Sequence, residues 1–191
     1  MGWLTIVLGV VLVSTKGLSG RLNARRGSLE VRVERAAELV YRATGEHADC
    51  QWMIWCGLNP EADAVSKAIG GAVNVQGSDT YAEKVGAVQG FVRGDVRHLV
   101  SKTSILGYGL NFQHCHHQIF CGLGDSFEQY YQAVRRCWRF GQVNPVEAHV
   151  IISEAEQVVV ENVRRKEAAA RGLTSLLIEH MADFEREELS A

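Results

Sequence analysis

At 191 residues, with 47% apolar residues and a net charge of −2 from 20 Lys+Arg against 22 Asp+Glu, the chain has the size and composition of one globular domain with a real core. This excludes a disordered chain. It also leaves no global charge to draw the protein to nucleic acid or a membrane, so any basic site must be local. The five cysteines (Cys50, Cys56, Cys115, Cys121, Cys137) are odd in number and include no CxxC pair. They predict reduced thiols in a cytoplasmic protein rather than a disulfide framework.

The chain opens on "MGWLTIVLGVVLV". This run is too short to cross a bilayer, which needs roughly 20 residues. It has no basic residues before it, as a signal peptide would, and Ile6 breaks the myristoylation pattern. Residues 1–19 are therefore expected to be a buried strand or an irregular start, with secretion as the lesser alternative and no membrane partner. After Gly20, Leu29, Val33, Ala36, Ala37 and Val40 recur at helical spacing. They predict an amphipathic helix with an arginine-rich outer face.

Next come "WMIWC" as a buried strand, "PEADAVSKAI" as a helix with proline and acids in its first turn, and "AVNVQG" as a short strand. "TYAEKVGAVQGFVRG" predicts a helix closed near Gly94, and "VRHLVSKT" and "HQIFCG" two further strands. "SFEQYYQAVRRCWRFG" predicts another helix, and "VEAHVIIS" the last strand. Strands are expected near 52–56, 72–76, 96–102, 117–121 and 146–152. From Glu154 the sequence reads as helical to its end, in two helices divided near Gly172.

Short apolar strands alternating with helices predict an α/β fold: a parallel sheet of about five strands with helices on both faces, plus C-terminal helices. Ligands of such sheets sit beyond the carboxyl ends of the strands. The loops of interest are therefore 57–60, 76–80, 103–111 and 122–126. Crowded "QHCHHQ" is expected to be a loop entering a buried strand, with no metal, because adjacent residues rarely converge on one ion.

Within the "QAVRRCWRFGQ" helix, Ser126 and Gln129 fit a capping box and Gly141 suits the position past the end. Gln132, Arg136 and Arg139 fall at i, i+4 and i+7, on one face, with Arg135 and Trp138 pointing elsewhere. Two guanidinium forks so aligned can clamp an anion with three equatorial oxygens. Basic residues also favour helix C-termini for dipole reasons alone, so spacing leaves both explanations open. Upstream, "SKTSILGYGLNFQ" places Gly107 and Gly109 directly after a strand, where glycine permits tight turning.

The order GxGLNF, buried strand, QxxxRxxRxGQ resembles the C-terminal RecA-like lobe of superfamily 2 helicases and translocases. The likeness is to Swi/Snf-like members, including DEAD/DEAH-type forms of phage and bacteria. It covers residues 20–155, with 156–191 as a helical extension. "GYGLNF" resembles the family's fifth motif and "QAVRRCWRFGQ" its sixth, with Gln132, Arg136, Arg139, Gly141 and Gln142 in register. "MIWCGLN" and "VNVQG" stand where the family has less specific motifs. Ile105 and Leu106 depart from it, because small residues are usual before the GxG.

The resemblance implies that Arg139 is an arginine finger, with Arg136 its partner or a relay to the fifth motif and Gln132 orienting both. Gly107, Gly109, Asn111, Gly141 and Gln142 would serve the nucleotide side, coupling ATP state to grip. Lys102, Thr103 and Ser104 would lie near a nucleic-acid backbone, DNA first, with RNA left open. ATP and Mg²⁺ would be held mainly by an N-terminal lobe, in cis or in trans, because GxxxxGK[ST] and a DExx box occur nowhere in these residues. The chain is then half of a motor, expected to be inactive alone. The alternative is a non-catalytic module, derived from such a lobe, that binds nucleic acid or protein. An adjacent reading frame encoding the two missing motifs would separate them. A flavodoxin-like enzyme shares the sheet but leaves QxxxRxxRxGQ unexplained.

Overall fold

Six strands lie in one fully parallel sheet in the computed structural model, which describes residues 11–13, 21–46, 50–124, 126–163, 165–166 and 168. The strands are β1 (Val11–Val13), β2 (Trp52–Cys56), β3 (Ala72–Val75), β4 (His98–Lys102), β5 (His117–Cys121) and β6 (Glu147–Ser153), in the spatial order β1-β6-β5-β2-β4-β3. Five match the expected segments. The sixth, β1, comes from the apolar start and pairs Val11 with Ile151. The rest of residues 1–19, and the C-terminal sequence beyond 168 with its expected division near Gly172, lie outside the described residues.

Every residue of β2 is buried, as a strand covered on both faces requires. Alternate side chains feed two cores. Met53, Trp55, Leu99, Phe120 and Val150 face one; Trp52, Ile54, Val100, Ile119 and Ile151 face the other. The first core is covered by α4 (Tyr81–Arg93), α5 (Thr103–Leu106), α6 (Phe127–Cys137) and the helical residues 157–163. The second is covered by α2 (Leu29–Glu46) and α3 (Asn59–Ala68). Helix α4 begins at a capping box, in which Thr80 and Glu83 satisfy each other's backbone N–H, and ends at Gly94 with φ 89°.

The expected first helix is bent at Ser28 into α1 (Arg21–Gly27) and α2. The Ser28 hydroxyl donates back to the Arg25 carbonyl at 3.2 Å, an interaction that bends helices. Its arginine face is not all outward. Arg32 is 0% exposed and Arg25 half-buried, and both turn toward the carboxyl edge of the sheet. There Arg25 grips Glu61 through two bonds of 2.7 Å, and Arg32 reaches the same carboxylate at 2.8 Å. Glu61 also accepts from the Gly57 and Leu58 N–H groups. Hydrogen-bonded on both oxygens, it ties α1 and α2 to the start of α3.

Candidate functional site

The strand order reverses around β2. The chain leaves β4 on one side of it and returns as β5 on the other. In open parallel sheets that crossing opens a crevice at the carboxyl ends. Two cavities lie there, sharing Arg25 and Gly57 as a common wall. One, about 370 Å³, is bounded by Arg26, Arg32, Leu58, Asn59 and Lys102. The other, about 130 Å³, is bounded by Thr103, Ser104, Gly122, Ser126 and Gln129. Three of the four loops singled out above line them; 76–80 does not.

Lys102 ends β4, half-buried, and Thr103 and Ser104 open α5 rather than a loop. Ser104 is exposed, and the Thr103 hydroxyl donates to the Gln129 side chain at 3.5 Å. The Ser126 hydroxyl caps α6 by accepting from Gln129 N–H. Half of the expected capping box is thus present, with the Gln129 carbonyl oxygen turned to Thr103.

The second group of residues clusters between the 107–115 loop and the end of α6. Arg136, 8% exposed, donates to the Gln132 backbone carbonyl, to the Gln132 side chain at 3.0 Å and to the Leu110 carbonyl at 2.9 Å. Arg139 is exposed and donates to the same Leu110 carbonyl at 3.2 Å. The two forks converge, though not by helical spacing. Helix α6 stops at Cys137, and the turn after Trp138 returns Arg139 to the loop. Arg135 lies elsewhere, 4.7 Å over the Trp138 ring.

Among the described residues no carboxylate pairs with Arg135, Arg136 or Arg139. Burial, and then the like charges of Arg139 and Arg135, push the Arg136 pKa below its ordinary value. Arg136 and Arg139, without a counter-ion among the described residues, make this surface receptive to an anion.

Around this pair the loop is stitched to α6. Phe112 N–H donates to the Arg136 carbonyl. The Gln142 amide nitrogen donates to the carbonyls of Gln113, Cys115 and Cys137 at 2.8, 3.1 and 3.3 Å, and its oxygen accepts from Asn144 N–H. Gln142, buried, therefore spends its amide inside the protein. Asn111 is exposed and accepts from Gln113 N–H. Gly109 and Gly141 have φ of 75° and 94°, where an L side chain is strained. Gly107 has ordinary helical angles, but a Cβ there would meet the Thr103 carbonyl oxygen at 2.1 Å. Gln142→Leu should lower the unfolding free energy by about 1–3 kcal/mol, because carbonyls lose their donor. Urea denaturation tests it, and an unchanged midpoint would mean the amide holds nothing.

"QHCHHQ" enters β5 as expected, with Cys115 buried and His117 opening the strand. Among the described residues no group of three or more His, Cys, Asp or Glu side chains is placed to hold a metal ion. None of the described helices is long and apolar enough to cross a membrane.

A family model, the helicase conserved C-terminal domain, matches residues 38–141. The chain belongs to this family. The matched span runs from α2 through Gly141, so this helicase C-terminal domain carries the loop and the convergent arginines inside it; α1 and β6 lie outside. Its fold is similar to the crystal structure of the C-terminal part of the Fun30 ATPase domain, with a TM-score of 0.62 and 15% identity. The similarity covers 69% of this chain and 44% of that one, so the domain spans less than half of its structural neighbour. No curated protein matches.

Sequence reasoning did not find the Arg25–Arg32–Glu61 cluster at the carboxyl edge. A signal was present: Arg25 and Arg32 stand four before and three after Leu29, on its helical stripe.

Proposed function

We propose that this domain is the C-terminal lobe of an ATP-driven DNA helicase or translocase of the Swi/Snf-like superfamily 2 kind, working in the cytoplasm. Arg139 acts as the arginine finger on a nucleotide held, with its Mg²⁺, by an N-terminal lobe. Arg136, oriented by Gln132, ties that event to the 107–111 loop. Gly109, Asn111, Gly141 and Gln142 keep the loop and turn in shape, with Gly107 closing α5. Lys102, Thr103 and Ser104 contact the backbone of the bound strand.

One observation carries this proposal: Arg136 and Arg139 meet on the Leu110 carbonyl, and among the described residues no carboxylate pairs with either. The buried arginine has three bonds to hold it, while the exposed one has a single backbone acceptor to leave. A fixed relay beside a mobile finger fits a transferring phosphoryl group arriving from across a cleft. The family match over 38–141 supports the same role. Five buried reduced thiols are consistent with a reducing compartment.

The test is steady-state ATP hydrolysis with DNA present, by this chain alone and with a matching N-terminal lobe. Hydrolysis only by the pair is expected. Robust hydrolysis by the chain alone, or none by a pair that demonstrably associates, would leave the non-catalytic module.

A further inference from the structure

We infer that helix α1, outside the family-matched residues, carries a nucleic-acid contact: Arg26, together with Lys102, seats a backbone phosphate in the larger cavity at the carboxyl edge of the sheet. This rests on the proposed nucleic-acid role of Lys102, Thr103 and Ser104 and extends it to an element that the family match does not reach.

The charge inventory of the cavity separates its cations into two kinds. Arg25 and Arg32 are committed. Both bond Glu61, and Arg25 also lies 3.6 Å from Glu156. Arg26 and Lys102 are not. Among the described residues neither makes a hydrogen bond or an ion pair, yet both bound the same 370 Å³ space. Among the described residues four cations line the cavity beside Glu61, and Arg25 also meets Glu156, so the positive excess is located on Arg26 and Lys102. Arg26 is exposed, at the last turn of α1, and Lys102 half-buried at the end of β4.

The smaller cavity continues from the larger one past Arg25 and Gly57 and offers the neutral polar groups of Thr103, Ser104, Ser126 and Gln129. Uncompensated cations followed by hydroxyl and amide groups along one edge suit a run of phosphates and sugars rather than a single small anion. The buried pairs serve this arrangement by position. They hold α1 against the sheet, so that Arg26 bounds the same cavity as Lys102.

The experiment is a salt titration of binding, by fluorescence anisotropy, of the full chain to a labelled thymidine oligonucleotide. Removing one cation from a phosphate should flatten the slope of log K against log salt by about 0.7 for a single strand. Arg26→Gln is expected to flatten it by about that much and to weaken binding several-fold at low salt, with Arg26→Gln/Lys102→Gln roughly doubling the change. Among the described residues Arg26 has no partner to lose, so the unfolding midpoint should stay put. Arg93→Gln, on α4 and paired with Asp95, should change neither slope nor affinity. An unchanged slope for Arg26→Gln, with wild-type binding intact, overturns the role of α1 and leaves that of Lys102 standing. Absent wild-type binding at low salt overturns both. Displacement of the oligonucleotide by ATP at equal phosphate concentration would assign the cavity to a free nucleotide and overturn the proposal.

Discussion

Arg139→Ala should lower ATP turnover by the completed motor about 10³–10⁵-fold while leaving KM for ATP nearly unchanged. As the proposed finger, Arg139 would act on charge that develops as the phosphoryl group transfers, so its loss would fall on the transition state rather than on nucleotide binding. Structure favours a clean result. Arg139 is exposed and gives up one hydrogen bond, to Leu110, so the alanine variant should fold as the parent does. Arg139→Lys should recover only part of the loss, because an ammonium cannot present a two-pronged fork. Arg135→Ala serves as the internal control. Its guanidinium covers Trp138, an interaction of about 0.5–1 kcal/mol, and it faces away from Leu110, so turnover should change little. The measurement is steady-state hydrolysis with DNA and the N-terminal lobe present. Equal losses for Arg135 and Arg139 would show that position on the α6 terminus, not charge at a phosphate, sets the effect.

Much of the sheet was readable because strands buried on both faces appear as unbroken apolar runs. "WMIWC" and "HQIFC" are nearly all core. The stretch resembling a sixth motif was readable as a pattern, but the physical route to its geometry was not. Helical periodicity puts Arg139 on the Arg136 face only if the helix continues. It stops at Cys137, and the convergence comes from a turn whose Gly141 takes φ 94°. Gln142, in the segment resembling the sixth motif, and Asn111, in that resembling the fifth, were expected on the nucleotide side; the fold gives both an internal hydrogen-bonding task that no spacing reveals. The short helix α5 was hidden because four residues are too few to show a period. The arginine-rich face failed for another reason. Charged residues are expected outside, and only the tertiary approach of Glu61 from α3 makes it possible to bury Arg32. That partner lies 29 residues away, beyond any local pattern.

The Arg25–Arg32–Glu61 cluster should be the most sensitive point of the fold. Glu61→Gln keeps the shape but removes the charge, leaving Arg32 at 0% exposure without a counter-ion. Breaking a buried pair from one side costs about 3–5 kcal/mol, against a total stability of about 5–15 kcal/mol for a domain. Urea unfolding at neutral pH should show a large drop in midpoint. The pH dependence has a definite sign. Burial, the largest single influence, works against the charge on Glu61, but bonds and attraction from Arg25 and Arg32 outweigh it and hold the pKa below the usual carboxylate range. A group lowered in the folded state contributes stability that is full above its unfolded pKa, about 4.3, and is lost as pH falls through the lower folded value. The gap between wild type and Glu61→Gln should therefore be widest at neutral pH and narrow below about pH 4. Replacing Arg25, Arg32 and Glu61 together by methionine should recover part of the stability, because Arg32 no longer leaves a buried charge unpaired, while Glu156 loses its contact with Arg25. That triple variant separates energy from function: α1 would still lie on the sheet and Arg26 would still reach the cavity, so oligonucleotide binding should survive in it. In Glu61→Gln, binding should fall together with the anchoring of α1. A neutral-pH midpoint unmoved by Glu61→Gln would mean that the two arginines find other acceptors and that this cluster does not hold α1 in place.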